Sequence, residues 1–461
     1  MKYVSTRGAA PELSFADAML TGLARDGGLY VPAEVPVMPK GEIAALAGLP
    51  YEEVAFRVMR PFLGDSFTDD EFRGIIDRAY AGFGHDARAP LVQLGSNHHL
   101  LELFHGPTLA FKDFAMQLIG QLFQTELTRR GDKVTIVGAT SGDTGSAAIE
   151  AFRGLDAVDV FILYPHGRVS EVQRRQMTTP TEDNVHALAL GGTFDDCQGK
   201  LKDMFNDFGF RDEVRLAGVN SINWARVLAQ VVYYFSSATA LGAPAREVSF
   251  TVPTGNFGDI FAGYIAKKMG LPIKRLVVAT NRNDILHRAL STGDYTTGEV
   301  HPTITPSMDI QVSSNFERAL FDAYDRDGGA VAQLMAELKE GGFKISQGAR
   351  EALREHFDSG RSDEHETSET VTRALATMGE LLCPHSAVGV KVAEEHLGPE
   401  PMITLATAHP AKFPAAVEAA TGQHPPLPPR MADLYERSER VTQVANDLAA
   451  LEQLIRERRR A

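Results

Sequence analysis

"DKVTIVGATSGDTGSAAIEAF", residues 132–152, runs from an apolar, β-branched stretch through a turn of Gly, Ser and Thr into an Ala-rich segment. The pattern predicts a strand over Lys133–Val137, a polar loop, then a helix. The same arrangement returns in "EVSFTVPTGNFGDIFAGYIAKKMG" (247–270) and in "PMITLATAHPAKFPAAVEAATG" (401–422). Short strands such as "DVFILYP" and "NVHALAL" lie among them, each followed by a helix-like segment. Strands alternating with helices imply an α/β architecture built on a mainly parallel sheet. Ligands of such sheets bind beyond the carboxyl ends of the strands, so the three polar loops are expected at that edge.

A chain of 461 residues is long enough for two or three domains. The second half of residues 1–85 reads as helical, and "GFGHDARAP" (82–90) reads as a boundary. Beyond it, residues 86–461 form one region, with a smaller α/β subdomain around 130–190 and a helical tail from about 430 that ends in "RERRR". With 44% hydrophobic and 23% charged residues, the composition is that of an ordinary globular protein. A net charge of −14 argues against nucleic acid or an anionic membrane as partner. An anionic substrate must then be caught by local donors. Two cysteines, Cys197 and Cys383, give no disulfide framework and suit a reducing cytosol. The N-terminus lacks the apolar core of a signal peptide. The most apolar segment, Val227 to Leu241, is broken by Gln230, Ser236 and Ser237, and reads as a buried helix and not a membrane span. A cytoplasmic protein is expected.

Lys112 stands in "LELFHGPTLAFKDF" (101–114), an apolar run with a Gly-Pro turn. Phe111, Phe114, Ala115, Leu118, Ile119 and Leu122 recur at helical spacing, which puts Lys112 at the start of an amphipathic helix. It is either an ordinary solvated lysine or an amine with a task, since burying an ammonium costs several kcal/mol or shifts its pKa.

The loop "TGNFGD" (254–259) has glycines at 255 and 258 that let backbone N–H groups turn inward, ahead of a helix starting near Asp259. It reads as a phosphate cup, with positive φ expected at Gly255, or as a tight strand-to-helix turn. "ATSGDTG" (139–145) supplies hydroxyls and backbone donors for a carboxylate or a phosphate, or else a Ser/Thr-rich helix cap. Asn223 and Arg226 share one side of an apolar helix; Arg226 binds an anion or pairs with an acid at the core margin. The run "EHFDSGRSDEHETSE" (355–369) lacks metal-ligand spacing and reads as a solvated loop. With no CxxC, HExxH or GxSxG, neither a metal site nor a serine-hydrolase elbow is expected. A lysine near a sheet edge, a phosphate cup and hydroxyl-rich loops together suggest pyridoxal phosphate, which needs an amine, an anion site and a partner for its ring nitrogen. An imine-forming lysine profits from partial desolvation.

"STRG" (5–8), "DGGLYVP" (26–32), "HGPTLAFKDF" (105–114), "ATSGDTGSAA" (139–148), "NSINWAR" (220–226), "VPTGNFGD" (252–259), "PSMDI" (306–310) and "HPAKF" (409–413) occur in that order. Over residues 3 to about 420 this set resembles the threonine synthase family, of the longer type found in bacteria and fungi. The resemblance implies PLP fold type II (tryptophan-synthase-β-like) preceded by an N-terminal domain. It implies a lyase that converts O-phospho-L-homoserine and water to L-threonine and phosphate. By motif position, Lys112 resembles the lysine that holds the cofactor. Gly255, Asn256, Phe257 and Asp259 fall in the phosphate-binding motif, and Thr407 resembles the hydroxyl facing the pyridine nitrogen. Thr140, Ser141, Asp143 and Thr144 are assigned to the loop lining the substrate, and Asn223 and Arg226 to its polar end. Where relatives commonly have Asp-Pro-His-Thr-Ala-Val, this chain has "CPHSAV" (383–388). Two other readings stay open. One is another fold type II lyase, such as a threonine dehydratase or a lyase for a different phosphorylated amino acid. The other is a member that binds without chemistry, which the intact Lys112 and phosphate cup disfavour.

Overall fold

The computed structural model describes residues 1–460; Ala461, the end of the expected catalytic region, lies outside the described residues. Two mainly parallel sheets carry the site, and the smaller contains the strands of the region around 130–190. The strands Phe357–Arg361, Ile273–Thr280, Val248–Pro253, Met402–Ala406 and His98–Glu102 lie side by side and parallel, and Leu91–Gln93 closes one edge antiparallel. A second, all-parallel sheet has the order Thr442–Val444, Val185–Leu190, Val158–Pro165, Val134–Ala139, Leu216–Ala217. The loop after Val134–Ala139 therefore faces, from the smaller sheet, the loops after Val248–Pro253 and Met402–Ala406 of the larger one. Val134–Ala139, Val158–Pro165 and Val185–Leu190 are consecutive strands, but neighbours such as His98–Glu102 and Met402–Ala406 are distant in sequence, and their pairing is not specified by local pattern.

The helix Trp224–Ala240 sits at the centre and is buried on nearly every face, as its apolar composition requires. It packs on the helices Tyr51–Leu63, Lys112–Arg130 and Gly258–Lys268. One apolar core runs from Tyr3 through Trp224 to Leu405, so the N-terminal residues share it with the rest of the chain. Tyr3–Ser5 pairs antiparallel with Tyr30–Pro32, a strand within the motif "DGGLYVP". Thr6 and Arg7 reach Glu317 at 2.6 and 2.9 Å, tying the N-terminus to the middle of the chain.

Two expectations need correction. Residues 355–369 are not a solvated loop. Phe357–Arg361 is the edge strand of the larger sheet, and Asp363 caps the helix Glu364–Met378 reciprocally with Glu366. The D-x-x-E spacing of that capping box was legible, but the strand was masked by its polar residues. The tail after 430 is not purely helical: Thr442–Val444 adds a strand to the smaller sheet before the helix Leu448–Arg458. Arg460 then holds Asp159 at 2.7 Å. No described helix is long and apolar enough to cross a membrane.

Candidate active site

Lys112 is the first residue of the helix Lys112–Arg130, as its position after the Gly-Pro turn implied. That helix is buried around most of its circumference instead of on one face. Gly120 lets it touch its neighbour, for a β-carbon there would meet the carbonyl of Ala151 at 2.3 Å. Only 12% of the Lys112 side chain is exposed. Burial pushes its pKa down, Asp143 opposes that shift, and the charges of Lys412 and Arg226 reinforce it. The result is an amine biased toward its neutral, nucleophilic form.

Asp143 is the hub of the site. It opens the helix Asp143–Phe152 and is almost fully buried. Its Oδ2 lies 3.4 Å from Lys112 Nζ and 3.5 Å from Ser307 Oγ. Its Oδ1 accepts from Lys412 Nζ at 3.0 Å and from Gln173 Nε2 at 2.8 Å. Burial alone would raise its pKa, but Lys412 and Lys112 outweigh burial and hold it well below the usual carboxylate range. This carboxylate is committed to the protein's own amines. The rest of the loop follows suit: Thr140 Oγ1 accepts from the N–H groups of Gly142 and Gly145, both at 2.9 Å, and fixes the turn. Of the four loop residues, Ser141 is exposed and Thr144 half-buried, whereas Thr140 and Asp143 are buried.

The sequence reading gave no role to Lys412, Gln173, Ser307 or His385, although Lys412 lay in a quoted motif. Lys412 is completely buried and also donates to the Thr108 carbonyl at 2.8 Å. A lysine between Pro410 and Pro414 amid apolar residues was the available signal. His385 Nε2 accepts from the Ser307 N–H at 3.2 Å. Burial lowers its pKa to about 4, which keeps the ring neutral. The departure at "CPHSAV" has a local use: Cys383 caps the helix Pro384–Glu395, its Sγ accepting from the Ser386 N–H at 3.4 Å.

The second loop forms a cup. The helix Gly258–Lys268 begins with Phe257 as its cap residue and no side-chain cap, leaving its first N–H groups facing the cleft. The positive φ falls on Phe257 (63°) and not on Gly255. A non-glycine residue held there stores about 1–3 kcal/mol of strain, and Phe257 is pinned by its packing on Phe316 and Phe357. Gly255 is required for space: a β-carbon would meet the Ser307 carbonyl at 2.6 Å. The Asn256 carbonyl accepts from Asn315 Nδ2 at 3.0 Å, holding the cup open. Asp259 turns away from the cup, and Tyr233 and Tyr234 both donate to its Oδ1. Burial raises its pKa to about 7, and its Oδ2 has no partner.

Thr407 is 7% exposed, and its carbonyl accepts from the Phe111 N–H at 2.9 Å, which places it beside Lys112. Its hydroxyl makes no hydrogen bond to any described residue. Arg226 is 4% exposed and meets no carboxylate; its Nη1 donates to the Val219 carbonyl at 3.3 Å, and its Nε has no partner. Asn223 caps the helix Trp224–Ala240, its amide spent on the Met19 carbonyl and the Ala225 N–H. Arg226, not Asn223, is therefore the donor left over.

These residues fit pyridoxal phosphate. The site offers a desolvated amine, a helix start with unspent N–H groups, a glycine where a side chain would fill the cup, and a hydroxyl without a protein partner. No group of three or more metal-ligating side chains occurs among the described residues.

Known proteins bear on this arrangement. A family model described as "Threonine synthase N terminus" matches residues 2–80, "Pyridoxal-phosphate dependent enzyme" matches 85–337, and "Threonine synthase, C-terminal" matches 386–455. The chain is 56% identical to the threonine synthase of Pseudomonas aeruginosa over 99% of its own length and 98% of that protein's. It superposes on a PLP-bound threonine synthase structure from Brucella melitensis with a TM-score of 0.99 at 57% identity, covering 100% of both chains. The yeast threonine synthase structure gives 0.94 at 40% identity, covering 99% of this chain and 98% of that one.

Proposed function

The chain belongs to the threonine synthase family of pyridoxal-phosphate-dependent lyases, and from that premise we propose how its residues convert O-phospho-L-homoserine and water to L-threonine and phosphate. One observation carries the reading. Lys112, Lys412 and Arg226 converge in the cleft with Asp143 as their close carboxylate, while Asp259 is pushed up to about 7 and faces away. In a chain of net charge −14, this local excess of buried cations suits anions: the cofactor phosphate, the substrate phosphate and the substrate carboxylate.

When bound, the cofactor supplies an aldehyde for amines and a conjugated ring that accepts electron density. The cup at Gly255, Asn256, Phe257 and the Asp259 N–H would hold its phosphate, and the Thr407 hydroxyl would serve its ring nitrogen without imposing a charge. Lys112 would hold the cofactor through its amine and, once free, takes the proton from the substrate α-carbon. Loss of a β-proton and departure of phosphate from the γ-carbon follow. The same amine can take up the β-proton, return a proton at the γ-carbon and, once the hydroxyl of water has added at the β-carbon, return one to the α-carbon to complete L-threonine. Asp143 holds Lys112 within reach throughout, and Lys412 fixes Asp143 against the Thr108 carbonyl. Arg226 binds a substrate anion through its unspent donors. Ser141 and Thr144 line the substrate from the opposite loop.

Phosphate release from O-phospho-L-homoserine with equimolar threonine formation is expected, with far slower ammonia release from L-threonine. Phosphate release accompanied only by 2-oxobutyrate, or ammonia release from L-threonine as the faster reaction, would replace this reading with a dehydratase. Both cysteines are free and buried, which supports a reducing compartment such as the cytosol.

A further inference from the structure

A second cavity lies behind the loop that leads into Lys112. Its volume is about 170 Å3, and its walls include Thr108, Glu150, Gln176, Arg430, Met431 and Leu434. Its polar groups are poorly matched within the protein. Glu150 reaches only Arg153, at 3.2 Å, and Arg153 is shared with Glu182 at 3.7 Å. Burial pushes the Glu150 pKa up to about 7, so this carboxyl lacks adequate positive company. Gln176 is 7% exposed; its Nε2 donates to the Thr108 carbonyl at 3.1 Å, and its Oε1 is buried without any partner. Both are acceptors in want of a donor.

Arg430 lines the same cavity but is exposed, so solvent serves the part of its guanidinium that the protein does not. One nitrogen donates to the Gly106 carbonyl at 2.8 Å, and no described carboxylate lies within ion-pair distance of the guanidinium. The other arginine lining this cavity near the C-terminal segment, Arg437, is already held by both oxygens of Asp433, at 3.0 and 2.7 Å. An unpaired cation thus shares one small cavity with an under-paired carboxylate and an orphaned amide oxygen, beside the apolar wall of Met431 and Leu434.

We propose that this cavity binds a small α-amino acid as a zwitterion. Its carboxylate goes to Arg430, its ammonium to Glu150 and the Gln176 Oε1, and its side chain to Met431 and Leu434. Arg430 and Gln176 also donate to the carbonyls of Gly106 and Thr108, bonds that an occupant leaves in place. Thr108 is in turn bound by Lys412 and, through its N–H at 2.8 Å, donates to Asp113.

The test is calorimetric titration of the holoenzyme with glycine, L-serine, L-threonine and L-methionine, with the cofactor absorbance followed in parallel. The expected result is saturable binding of at least one of them that leaves the cofactor absorbance unchanged. Glu150→Gln and Arg430→Leu should each weaken it at least tenfold, with turnover retained in Glu150→Gln. Propionate and ethylamine, each carrying half of the recognised pair, should bind at least tenfold more weakly. The proposal is overturned if none of the four binds, if all binding moves the cofactor spectrum, or if neither variant weakens it. Equal binding of inorganic phosphate by wild type and Glu150→Gln would also overturn it, since the cavity would then be a plain anion site.

Discussion

The helices Asp143–Phe152 and Gly258–Lys268 each follow a parallel strand, start without a side-chain cap and carry an aspartate in the first turn. Their electrostatics are opposed. At the first, Asp143 points into the site, and two lysines and Gln173 hold it ionised. At the second, Asp259 points back onto Tyr233 and Tyr234, and burial raises its pKa to about 7. One helix start is filled by the protein's own anion, which organises amines. The other keeps its N–H groups for an anion from outside. The same local arrangement therefore builds a proton-handling centre in the smaller sheet and an anion cup in the larger.

The largest effect should come from removing the amine that the first loop organises. Lys112→Ala should lower phosphate release from O-phospho-L-homoserine at least about 10³-fold, within the range of a lost acid–base group. The absorbance of the protein-bound cofactor should be altered with it. Wild-type turnover in that variant would end the assignment. Asp143→Asn comes next. It leaves Lys112 and Lys412 without their shared carboxylate, so turnover should drop by about 10²-fold and stability by about 3–5 kcal/mol, as when a buried pair loses one partner. Single-turnover phosphate release and a denaturant melt measure the two losses. If Asp143→Asn and Asp259→Asn damage turnover equally, the contrast between the loops is wrong.

The cup is probed by Gly255→Val. The added carbon would press on the Ser307 carbonyl, which a β-carbon meets at 2.6 Å. Losing one charge-assisted hydrogen bond, about 1.5–3 kcal/mol, should weaken cofactor affinity roughly ten- to a hundredfold. Titration of cofactor-free protein by absorbance reads this directly. Arg226→Gln should leave that affinity alone and raise the KM for O-phospho-L-homoserine by about tenfold, one such bond. Arg318 sharpens the point. It is also buried, yet it is satisfied by the Tyr30 and Ile222 carbonyls and by Asn315. Changing it should cost stability and leave the KM unchanged.

The strand–loop–helix units, the lysine at a helix start and the two polar loops were legible because each is a local pattern, with periodicity switching across a few glycines. What joins them was not. Lys412, Gln173, Ser307 and His385 reach Asp143 and Lys112 from segments far along the chain, and a sequence without tertiary contacts does not specify such meetings. Strand order escaped for the same reason, since neighbouring strands such as His98–Glu102 and Met402–Ala406 lie far apart in the chain. Side-chain direction was equally hidden. Asp143 and Asp259 stand alike after their glycines, and only packing turns one toward the cleft and the other toward two tyrosines.

That difference in direction makes one last prediction, with the smallest effect on turnover. An aspartate ordinarily titrates near 3.9, whereas Asp259 is pushed up to about 7 in the folded protein. Between those values the folded state keeps its proton and the unfolded state has lost it. The stabilising contribution of Asp259 is therefore complete below about pH 4 and is lost progressively as pH rises to about 7, by at most roughly 1.4 kcal/mol per pH unit. Other carboxylates, Asp143 among them, have depressed pKa values and act in the opposite direction, so total stability does not isolate this group. The difference between wild type and Asp259→Asn does. Asparagine cannot titrate, so denaturant melts of the two cofactor-free proteins should show the wild type losing ground to the variant steadily from pH 4 to 7 and holding level above it. A constant difference across that window would mean that Asp259 is ionised when folded. The cup would then carry a negative charge behind it, and the contrast between the two helix starts would fail.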